Sequence, residues 1–315
     1  MGAIRLAAAQ SWSIFPAIYT FPMAASTHDM AMRSFIMSLA RLGGDIARRH
    51  FRSPHLSVDS KGRGDYVSHV DRQIEDAIAT RIRALHPDHR IIGEEAMAGD
   101  DSQGVGEGPC WIIDPIDGTT NFIRGIASFA ISIAYCHRNN QPQVAVVYDP
   151  IADEMFIGER GAGLWVGSQR VYSSGCANMG EALVATAMPF RVLDALDDCM
   201  QVWRRVQPQI DDMRRSGSAA LDLAYVAVGR IDAYYELGIW CWDTAAGELL
   251  VRCGGGAATD FNGKSEGLLS RRSIVAAATP ALHAQLLPEV SVLASWLHRD
   301  LYRASSSGGG PFPPV

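Results

Sequence analysis

The sequence of 315 residues lacks the features that mark disulfide-rich, nucleic-acid-binding and zinc-protease chains. Its six cysteines are scattered and form no C-x-x-C pair, which indicates reduced thiols rather than a disulfide framework. Its net charge of −6 leaves no basic excess to neutralise a nucleic-acid backbone. No H-E-x-x-H motif occurs among its nine histidines. Together these absences predict a protein of the reducing cytoplasm.

Long hydrophobic runs are also missing. No apolar stretch reaches the roughly 18 residues that a transmembrane helix needs. The hydrophobic content of 48% and the charged content of 20% instead predict a globular fold of one large domain or two moderate ones. We therefore expect no association with a membrane.

The two ends of the chain differ in composition from the rest. Residues 1–29 are apolar and contain two prolines, and we interpret them as a disordered extension or an over-long start. A cleaved signal peptide is the alternative for this segment. Residues 302–315 are rich in serine, glycine and proline, which predicts a disordered tail.

Hydrophobic spacing divides the remaining chain into two halves. Residues 30–178 begin with amphipathic helices at 30–52 and 67–85, joined by a polar loop, and continue as strands of an antiparallel sheet. Residues 179–301 alternate helices and strands, and the last helix is predicted over 280–301. This pattern predicts an α/β (α+β) fold, with an N-terminal α+β half and a C-terminal α/β half.

Residues 111–122, WIIDPIDGTTNF, organise the predicted site. Asp114 and Asp117 follow an apolar strand, and the proline between them stiffens the backbone. Carboxylates so close repel unless a cation lies between them, and oxygen ligands suit Mg²⁺ or Mn²⁺. The amides of Gly118 and Thr119 could then point at an anion. The stretch predicts a metal and phosphate site, whereas the alternative is a simple turn, since Asp-Pro and Asp-Gly are common turn dipeptides.

Other carboxylates also lie at the ends of predicted elements. Glu94 ends a short strand and Asp243 opens a helix, positions at which α/β proteins often carry site residues. With Asp114 and Asp117 they could hold two or more Mg²⁺ ions, as in two-metal sites for in-line displacement. The alternatives are a helix cap for Asp243 and, for Asp71, a first-turn carboxylate favoured by the helix dipole.

These motifs together resemble the inositol monophosphatase family. Residues 111–122 match its first signature, and Trp-Asp-Thr-Ala-Ala-Gly at 242–247 matches its second. Further matches, in the family's order, are the elements at 93–95, 216–220 and 232–236. The similarity is greatest to the bacterial inositol-1-monophosphatase branch. It implies a layered α-β-α-β-α sandwich of the inositol monophosphatase and fructose-1,6-bisphosphatase type, and a homodimer.

The resemblance also implies a role for individual residues. The metal ligands, for two or three Mg²⁺ ions with Mn²⁺ as a substitute, would be Glu94, Asp114, Asp117, Asp243 and the backbone carbonyl of Ile116. The catalytic residues would be Glu94, Asp117 and Thr119, with Thr119 and Glu94 orienting the attacking water. The substrate contacts would be Gly118, Thr119, Gly217, Ser218, Ala219, Glu236 and Asp243. Asp71 and Lys61 would support the site from behind the ligands. By sequence alone, Glu236 could be a surface carboxylate and Ser218 only part of a helix start.

The activity implied by the resemblance is Mg²⁺-dependent, lithium-sensitive hydrolysis of a phosphate monoester by a metal-activated water. Inositol-1-phosphate is the first candidate substrate, a small phosphorylated polyol. Fructose 1,6-bisphosphate, histidinol phosphate and 3′-phosphoadenosine 5′-phosphate are alternatives. A haloacid-dehalogenase-type phosphatase is disfavoured, because its D-x-D spacing differs from the D-x-x-D found here. A partner of the transcription machinery, as in bacterial relatives, is an alternative of a different class.

Overall fold

The computed structural model describes residues 27–62, 65–96, 106, 108–190, 192–270 and 272–297, without the side chains of residues 27–30, 61, 62 and 65. Residues 1–26 of the predicted extension and the whole predicted tail 302–315 lie outside the described residues. The prediction was wrong for residues 27–29, which already belong to the first helix.

The first layer is a pair of helices, α1 (Thr27–His50) and α2 (His69–Leu85). The segment between them, predicted as a polar loop, instead contains an antiparallel hairpin of β1 (Val58–Gly62) and β2 (Asp65–Ser68). Val58, Asp59 and Ser60 are all exposed, so β1 lacks the alternation of buried and exposed side chains that reveals a strand.

A seven-stranded sheet forms the second layer, and its strands follow chain order from β3 to β9. They are β3 (Arg90–Gly93), β4 (Cys110–Asp117), β5 (Ala130–Cys136), β6 (Pro142–Asp149), β7 (Glu154–Glu159), β8 (Gly163–Val166) and β9 (Gln169–Val171). Within this sheet, as far as the structure describes it, the β3–β4 pair is parallel and the other neighbouring pairs are antiparallel. Asn139 and Asn140 turn the chain between β5 and β6 with φ of 53° each, a left-handed conformation that asparagine tolerates.

A short helix, α3 (Thr119–Ile123), follows β4, and two helices form the central layer. These are α5 (Ala219–Ala227) and α6 (Cys241–Cys253), which follow α4 (Leu196–Val206) in the chain. Both central helices are buried on nearly all sides, because one face packs on the seven-stranded sheet and the other on a second sheet. Their N-termini therefore lie buried between the two sheets.

The second sheet has five strands in the order β11-β10-β12-β14-β13. They are β10 (Leu183–Thr186), β11 (Asp212–Arg214), β12 (Ala233–Leu237), β13 (Ala257–Thr259) and β14 (Ser273–Ala277). Helices α4 and α7 (Pro280–Val290) cover its outer face. The predicted last helix, 280–301, was too long: α7 ends two residues after Pro288, which removes one amide from the helical ladder.

The layers stack as helix, sheet, helix, sheet, helix, and three apolar clusters fill the spaces between them. This confirms the predicted fold. The division into halves at residue 178 stays a prediction, although every strand of the first sheet lies within 90–171 and every strand of the second within 183–277. All six cysteines are free thiols. No helix in the described ranges is long and apolar enough to cross a membrane.

Candidate metal centre

A bulge at the end of β4 brings Asp114 and Asp117 to the same side of the sheet. In a regular strand, residues three positions apart lie on opposite faces. Here Asp114 lies opposite Ser132 of β5 while Asp117 lies opposite Ala130, so β4 contains one extra residue between them. The apolar run predicted a strand that ends before the two carboxylates, whereas β4 continues through Asp117.

Core packing shows the same change of side. Ile112 packs towards the central helices, and Ile113 packs towards α1 and α2, as alternation requires. Ile116 should lie on the side of Ile112, but it packs with Ile113. The bulge has therefore reversed the alternation after Asp114, and Asp117 lies on the face of the central helices.

The third carboxylate of the centre comes from α6. Asp243 is the third residue of that helix, and its Oδ2 accepts a hydrogen bond from the amide of Trp240 at 2.8 Å. Asp243 is therefore not the N-cap that one interpretation of the sequence proposed, because the N-cap is Trp240 and Asp243 bonds its amide from the third helical position. It also offers a ligand atom that lies within 4.8 Å of ligand atoms of Asp114 and Asp117. Asp243 thus stabilises the first turn of α6 and also belongs to the carboxylate cluster.

Burial and mutual repulsion raise the pKa values of Asp114 and Asp117. Burial, followed by the charges of Glu94, Asp117 and Asp243, raises the pKa of Asp114 well above its usual range. Burial and then the charge of Asp243 do the same for the pKa of Asp117, although hydrogen bonds from the start of α5 oppose the rise. A divalent cation would offset these like charges, and an all-oxygen donor set fits Mg²⁺ or Mn²⁺.

Asp71 and Thr119 lie beside the three carboxylates. Asp71 is fully buried in α2, and its Oδ2 accepts hydrogen bonds from the amide (2.9 Å) and the hydroxyl of Ser68. The hydroxyl of Thr119 lies 3.2 Å from Asp71 Oδ1 and 3.0 Å from the carbonyl oxygen of Ile116. Burial raises the pKa of Asp71 to about 6 against the effect of these bonds. Asp71 is thus both a helix cap and a neighbour of Thr119.

Glu94 enters the cleft from the end of β3. Its amide donates to the carbonyl of Ile113 at 3.2 Å, which continues the pairing of β3 with β4 by one residue. Glu94 is 9% exposed and lines the same cleft as the aspartates. It does not belong to the cluster of ligand atoms within 4.8 Å. The side chain of Lys61 lies outside the described residues.

The opposite wall of the cleft is the start of α5. The N-cap of this helix is Ser218, whose side chain accepts a hydrogen bond from the amide of Leu221 at 3.4 Å. The Ser218 hydroxyl also donates to Asp117 Oδ2, which accepts a further bond from the amide of Ala220 at 2.8 Å. Ser218 therefore orients Asp117, while the adjoining backbone of Gly217 and Ala219 lines the cleft.

Gly118 is required by the close approach of the two walls. Its φ is 93°, and a Cβ at this position would lie 3.0 Å from the carbonyl oxygen of Ser128 and 3.1 Å from that of Gly217. Asn121 joins the same segments, since its side-chain amide donates to the carbonyls of Ser128 (2.7 Å) and Ser216 (2.9 Å). The turn after β4 is thereby fixed against α5.

The remaining wall holds Glu236, which was predicted as a substrate contact, and two residues that were not predicted, Tyr234 and Asp222. Glu236 on β12 is buried and accepts a hydrogen bond from the hydroxyl of Tyr234, two residues earlier on the same face of the strand. Asp222 lies four residues after Ser218 on α5, and burial raises its pKa to about 7 against a hydrogen bond from Ser216. Alternation along β12 and helical spacing along α5 could have indicated both. The cleft has a volume of about 320 Å³.

The comparison with known proteins agrees with this geometry. A model of the Inositol monophosphatase family matches residues 29–294. The Nus factor SuhB of Pseudomonas aeruginosa is 42% identical over 260 residues, which are 81% of this chain and 94% of that protein. The Nus factor SuhB of Escherichia coli K12 is 39% identical over 233 residues, which are 74% of this chain and 86% of that protein.

Solved structures show the same likeness. The extragenic suppressor protein suhB from Bartonella henselae has a TM-score of 0.75 and 33% identity, over 82% of this chain and 98% of that chain. An IMPase from Thermotoga maritima has a TM-score of 0.73 and 30% identity, over 85% of this chain and 100% of that chain. The matched range includes every carboxylate of the centre, and the chain belongs to the inositol monophosphatase family.

Proposed function

We propose that this protein is a Mg²⁺-dependent phosphatase that hydrolyses the phosphate monoester of a small polyol, with inositol-1-phosphate as the first candidate substrate. The observation that carries the proposal is the cluster of three buried carboxylates within 4.8 Å on the wall of a cleft. Without a cation these like charges would oppose folding, so their close placement is best explained by a metal that they hold.

The proposed metal ligands are those that the family resemblance implies. They are Glu94, Asp114, Asp117, Asp243 and the backbone carbonyl of Ile116, and all five residues line the cleft. Two or three bound Mg²⁺ ions would activate a water and offset the charge that develops on the phosphoryl oxygens. The bulge of β4 supplies the geometry, since it turns Asp114 and Asp117 to one side.

Thr119, Asp71 and Glu94 are the residues proposed to orient the attacking water and to move its proton. The Thr119 hydroxyl can donate to Asp71 Oδ1 and so present its own oxygen as an acceptor to a water. With a pKa of about 6, Asp71 can take up a proton near neutral pH. The amides of Gly118 and Thr119, at the start of α3, are the proposed donors to the phosphate.

The polyol is proposed to bind between the start of α5 and β12. The backbone of Gly217 and Ala219 lines this side, and the carboxylates of Glu236 and Asp243 suit the hydroxyl groups of a polyol. Tyr234 holds one oxygen of Glu236 and so limits the rotation of that carboxylate. Ser218 is proposed to act through Asp117.

One observation favours larger or doubly charged substrates as a second candidate. A groove of about 500 Å³ adjoins the cleft and shares Ala187 and Arg215 with it. Met188 and Trp203 give this groove apolar walls. Arg215 is the one basic side chain among the described residues that line the cleft, and it suits a second anionic group. Fructose 1,6-bisphosphate and 3′-phosphoadenosine 5′-phosphate therefore belong in the substrate test, together with histidinol phosphate.

The experiment that tests the proposal is phosphate release from a panel of these four substrates with and without Mg²⁺. Turnover that requires Mg²⁺, is inhibited by Li⁺ and is greatest on inositol-1-phosphate would support the full proposal. Greatest turnover on another panel member would change the substrate and keep the mechanism. Metal binding with no turnover on any substrate would overturn the assignment as a phosphatase.

A role in the transcription machinery is the candidate of a different class. The observation that favours it is that the curated relatives with 39–42% identity are named Nus factors. We propose that the chain is a cytoplasmic homodimer that could combine both roles. A pull-down from cytoplasmic extract with wild type and Asp117→Asn tests this: a transcription partner retained by both would support the second role, and its absence from both would oppose it.

A further inference from the structure

Three stacked side chains lie next to the carboxylate that α6 contributes. The guanidinium carbon of Arg272 lies 4.0 Å from the centre of a Trp240 ring. The Trp240 indole also stacks on Trp242, with 5.2 Å between the ring centres and 8° between the planes. Arg272 and Trp242 are 7% and 6% exposed. Trp240 therefore contacts two buried side chains through its ring.

The backbone of Trp240 connects this stack to Asp243. Its amide donates to Asp243 Oδ2 at 2.8 Å, and its carbonyl accepts from the Thr244 hydroxyl at 3.2 Å. A hydrogen bond to one oxygen restricts the rotation of a carboxylate and so favours one orientation of its second oxygen. The position of the Trp240 backbone thus determines how Asp243 meets Asp114 and Asp117.

Arg272 fixes the same backbone from the other end. Its carbonyl oxygen accepts hydrogen bonds from the amides of Gly238 at 2.8 Å and Ile239 at 3.4 Å. Gly238 has a φ of 87°, so the chain turns sharply just before Trp240. Arg272, which lies just before β14, therefore holds the turn through its backbone carbonyl and the Trp240 indole through its side chain.

We infer that Trp240, clamped by Arg272, is a positioning residue that sets the carboxylate of Asp243 against Asp114 and Asp117. The inference rests on the proposed function, because a divalent cation is what the positioned carboxylate would hold. Neither Trp240 nor Arg272 lines the cleft, so both act through Asp243 and not on the substrate.

The chain contains a matched control for this stack. Arg33 of α1 lies 4.0 Å from the centre of a Trp165 ring on β8, the same distance as in the Arg272–Trp240 pair. Within the part of the chain that the structure describes, neither Arg33 nor Trp165 lines the cleft, and neither forms a hydrogen bond with a carboxylate of the cluster. Trp165→Leu therefore removes a comparable cation–aromatic contact without touching Asp243.

The test measures Mn²⁺ binding by calorimetry in metal-free protein, with circular dichroism as a check on folding. We expect Trp240→Leu to raise the Kd for Mn²⁺ about 10-fold or more, as is typical for partners of metal ligands. Trp240→Phe, which keeps a ring for stacking, should change it by less than about 3-fold, and Trp165→Leu should leave it unchanged. Arg272→Met keeps the backbone carbonyl and should give an intermediate rise, so it replaces Trp240→Leu if that variant does not fold.

A double variant separates positioning from general destabilisation. In an Asp243→Asn background, Trp240→Leu should cause no further change in the Kd for Mn²⁺, because both changes act on one ligand. Unchanged Mn²⁺ affinity in folded Trp240→Leu and Arg272→Met, or an equal loss in Trp165→Leu, would overturn the inference and leave the proposed function intact. Failure of the wild-type protein to bind Mn²⁺ would instead overturn the proposed function.

Discussion

The hydroxyl of Ser218 donates a hydrogen bond to Oδ2 of Asp117 and joins two residues 101 positions apart in the sequence. The same Ser218 oxygen caps α5, so a single side chain fixes both the helix and the carboxylate. Replacing it should affect stability and metal binding together. We expect Ser218→Ala to lower the free energy of unfolding by about 1–2 kcal/mol and to weaken Mg²⁺ binding.

Chemical unfolding and calorimetry check this prediction, with Ser218→Thr as the control that keeps a hydroxyl. Retention of full Mg²⁺ affinity in Ser218→Ala would contradict the proposed orientation of Asp117.

Removal of one metal ligand should abolish most activity without unfolding the protein. In Asp117→Asn, the amide oxygen can still accept the bonds from Ser218 and Ala220, but the charge is lost. We expect kcat to fall about 100-fold or more, which corresponds to ~2.7 kcal/mol of transition-state stabilisation. Phosphate release at saturating Mg²⁺ measures it, and near-normal kcat would rule out the ligand role of Asp117.

Neutralising the centre should stabilise the metal-free protein. Because burial and neighbouring charges raise the pKa of Asp114, its ionised form opposes folding when no cation is present. We expect Asp114→Asn to raise the free energy of unfolding in EDTA by about 1–3 kcal/mol. The same variant should lose the rise in Tm that Mg²⁺ gives the wild type. Thermal unfolding in EDTA and in Mg²⁺ tests both statements, and a normal Mg²⁺ response in the variant would contradict them.

Asp222 should give the protein a specific pH dependence. Its pKa is about 7 in the folded chain and 3.8 in an unfolded one, so the folded chain keeps a proton that the unfolded chain loses. The stability from this group is complete below about pH 4 and is lost as the pH rises through about 7. Asp222→Asn, which cannot ionise, should therefore exceed the wild type in stability by up to about 4 kcal/mol at pH 8, and by less at pH 5.

Chemical unfolding of both proteins in EDTA at pH 5 and pH 8 measures this difference. Ser216→Ala is the comparison, because loss of the hydroxyl that lowers the pKa of Asp222 should make the decline with pH larger. Parallel pH profiles for wild type and Asp222→Asn would show the prediction to be wrong.

Gly118 should tolerate a side chain less well than a glycine of similar φ in open space. Gly161 has a φ of 78°, and no atom lies within 4 Å of the position that a Cβ would occupy. Gly161→Ala therefore tests the backbone conformation alone, and we expect it to lower the free energy of unfolding by about 1–2 kcal/mol. Gly118→Ala adds contacts of 3.0 and 3.1 Å with two carbonyl oxygens. We expect a clearly larger loss of stability and a loss of phosphatase activity, measured by unfolding and phosphate release. Equal effects of the two variants would contradict this.

Periodicity predicted α2, because its buried residues recur at helical spacing. The strands β5 and β6 were predicted as apolar runs, since they are buried along almost their whole length and show no alternation. Neither pattern revealed β1, β9 or β11. These strands are short and mostly exposed, so they exist through pairing with a neighbour and carry no apolar pattern of their own. The missing information is long-range pairing.

The candidate site shows the same limit. Alternation alone would place Asp114 and Asp117 on opposite faces. Their closeness in the sequence and the family resemblance both suggested that they act together. The bulge depends on pairing with β5, which no local pattern contains. The position of Asp243, in contrast, could be predicted from the sequence, because it lies at the start of a helix. There it bonds the first turn of α6 and belongs to the carboxylate cluster. Asp222 and Tyr234 were missed because they border the cleft only through the packing of α5 beside β12, which the local sequence pattern does not show.

The bulge of β4 decides on which face of the sheet Asp117 lies relative to Asp114. Without the bulge, Asp117 would lie three regular positions after Asp114 and would point into the apolar layer under α1 and α2. Deletion of one residue between them would remove the bulge and leave both aspartates on one face. Insertion of one more residue would give a second irregularity that the pairing with β5 must absorb. The spacing of the two aspartates can therefore change only in steps that also rebuild the sheet, whereas substitutions around them can accumulate singly.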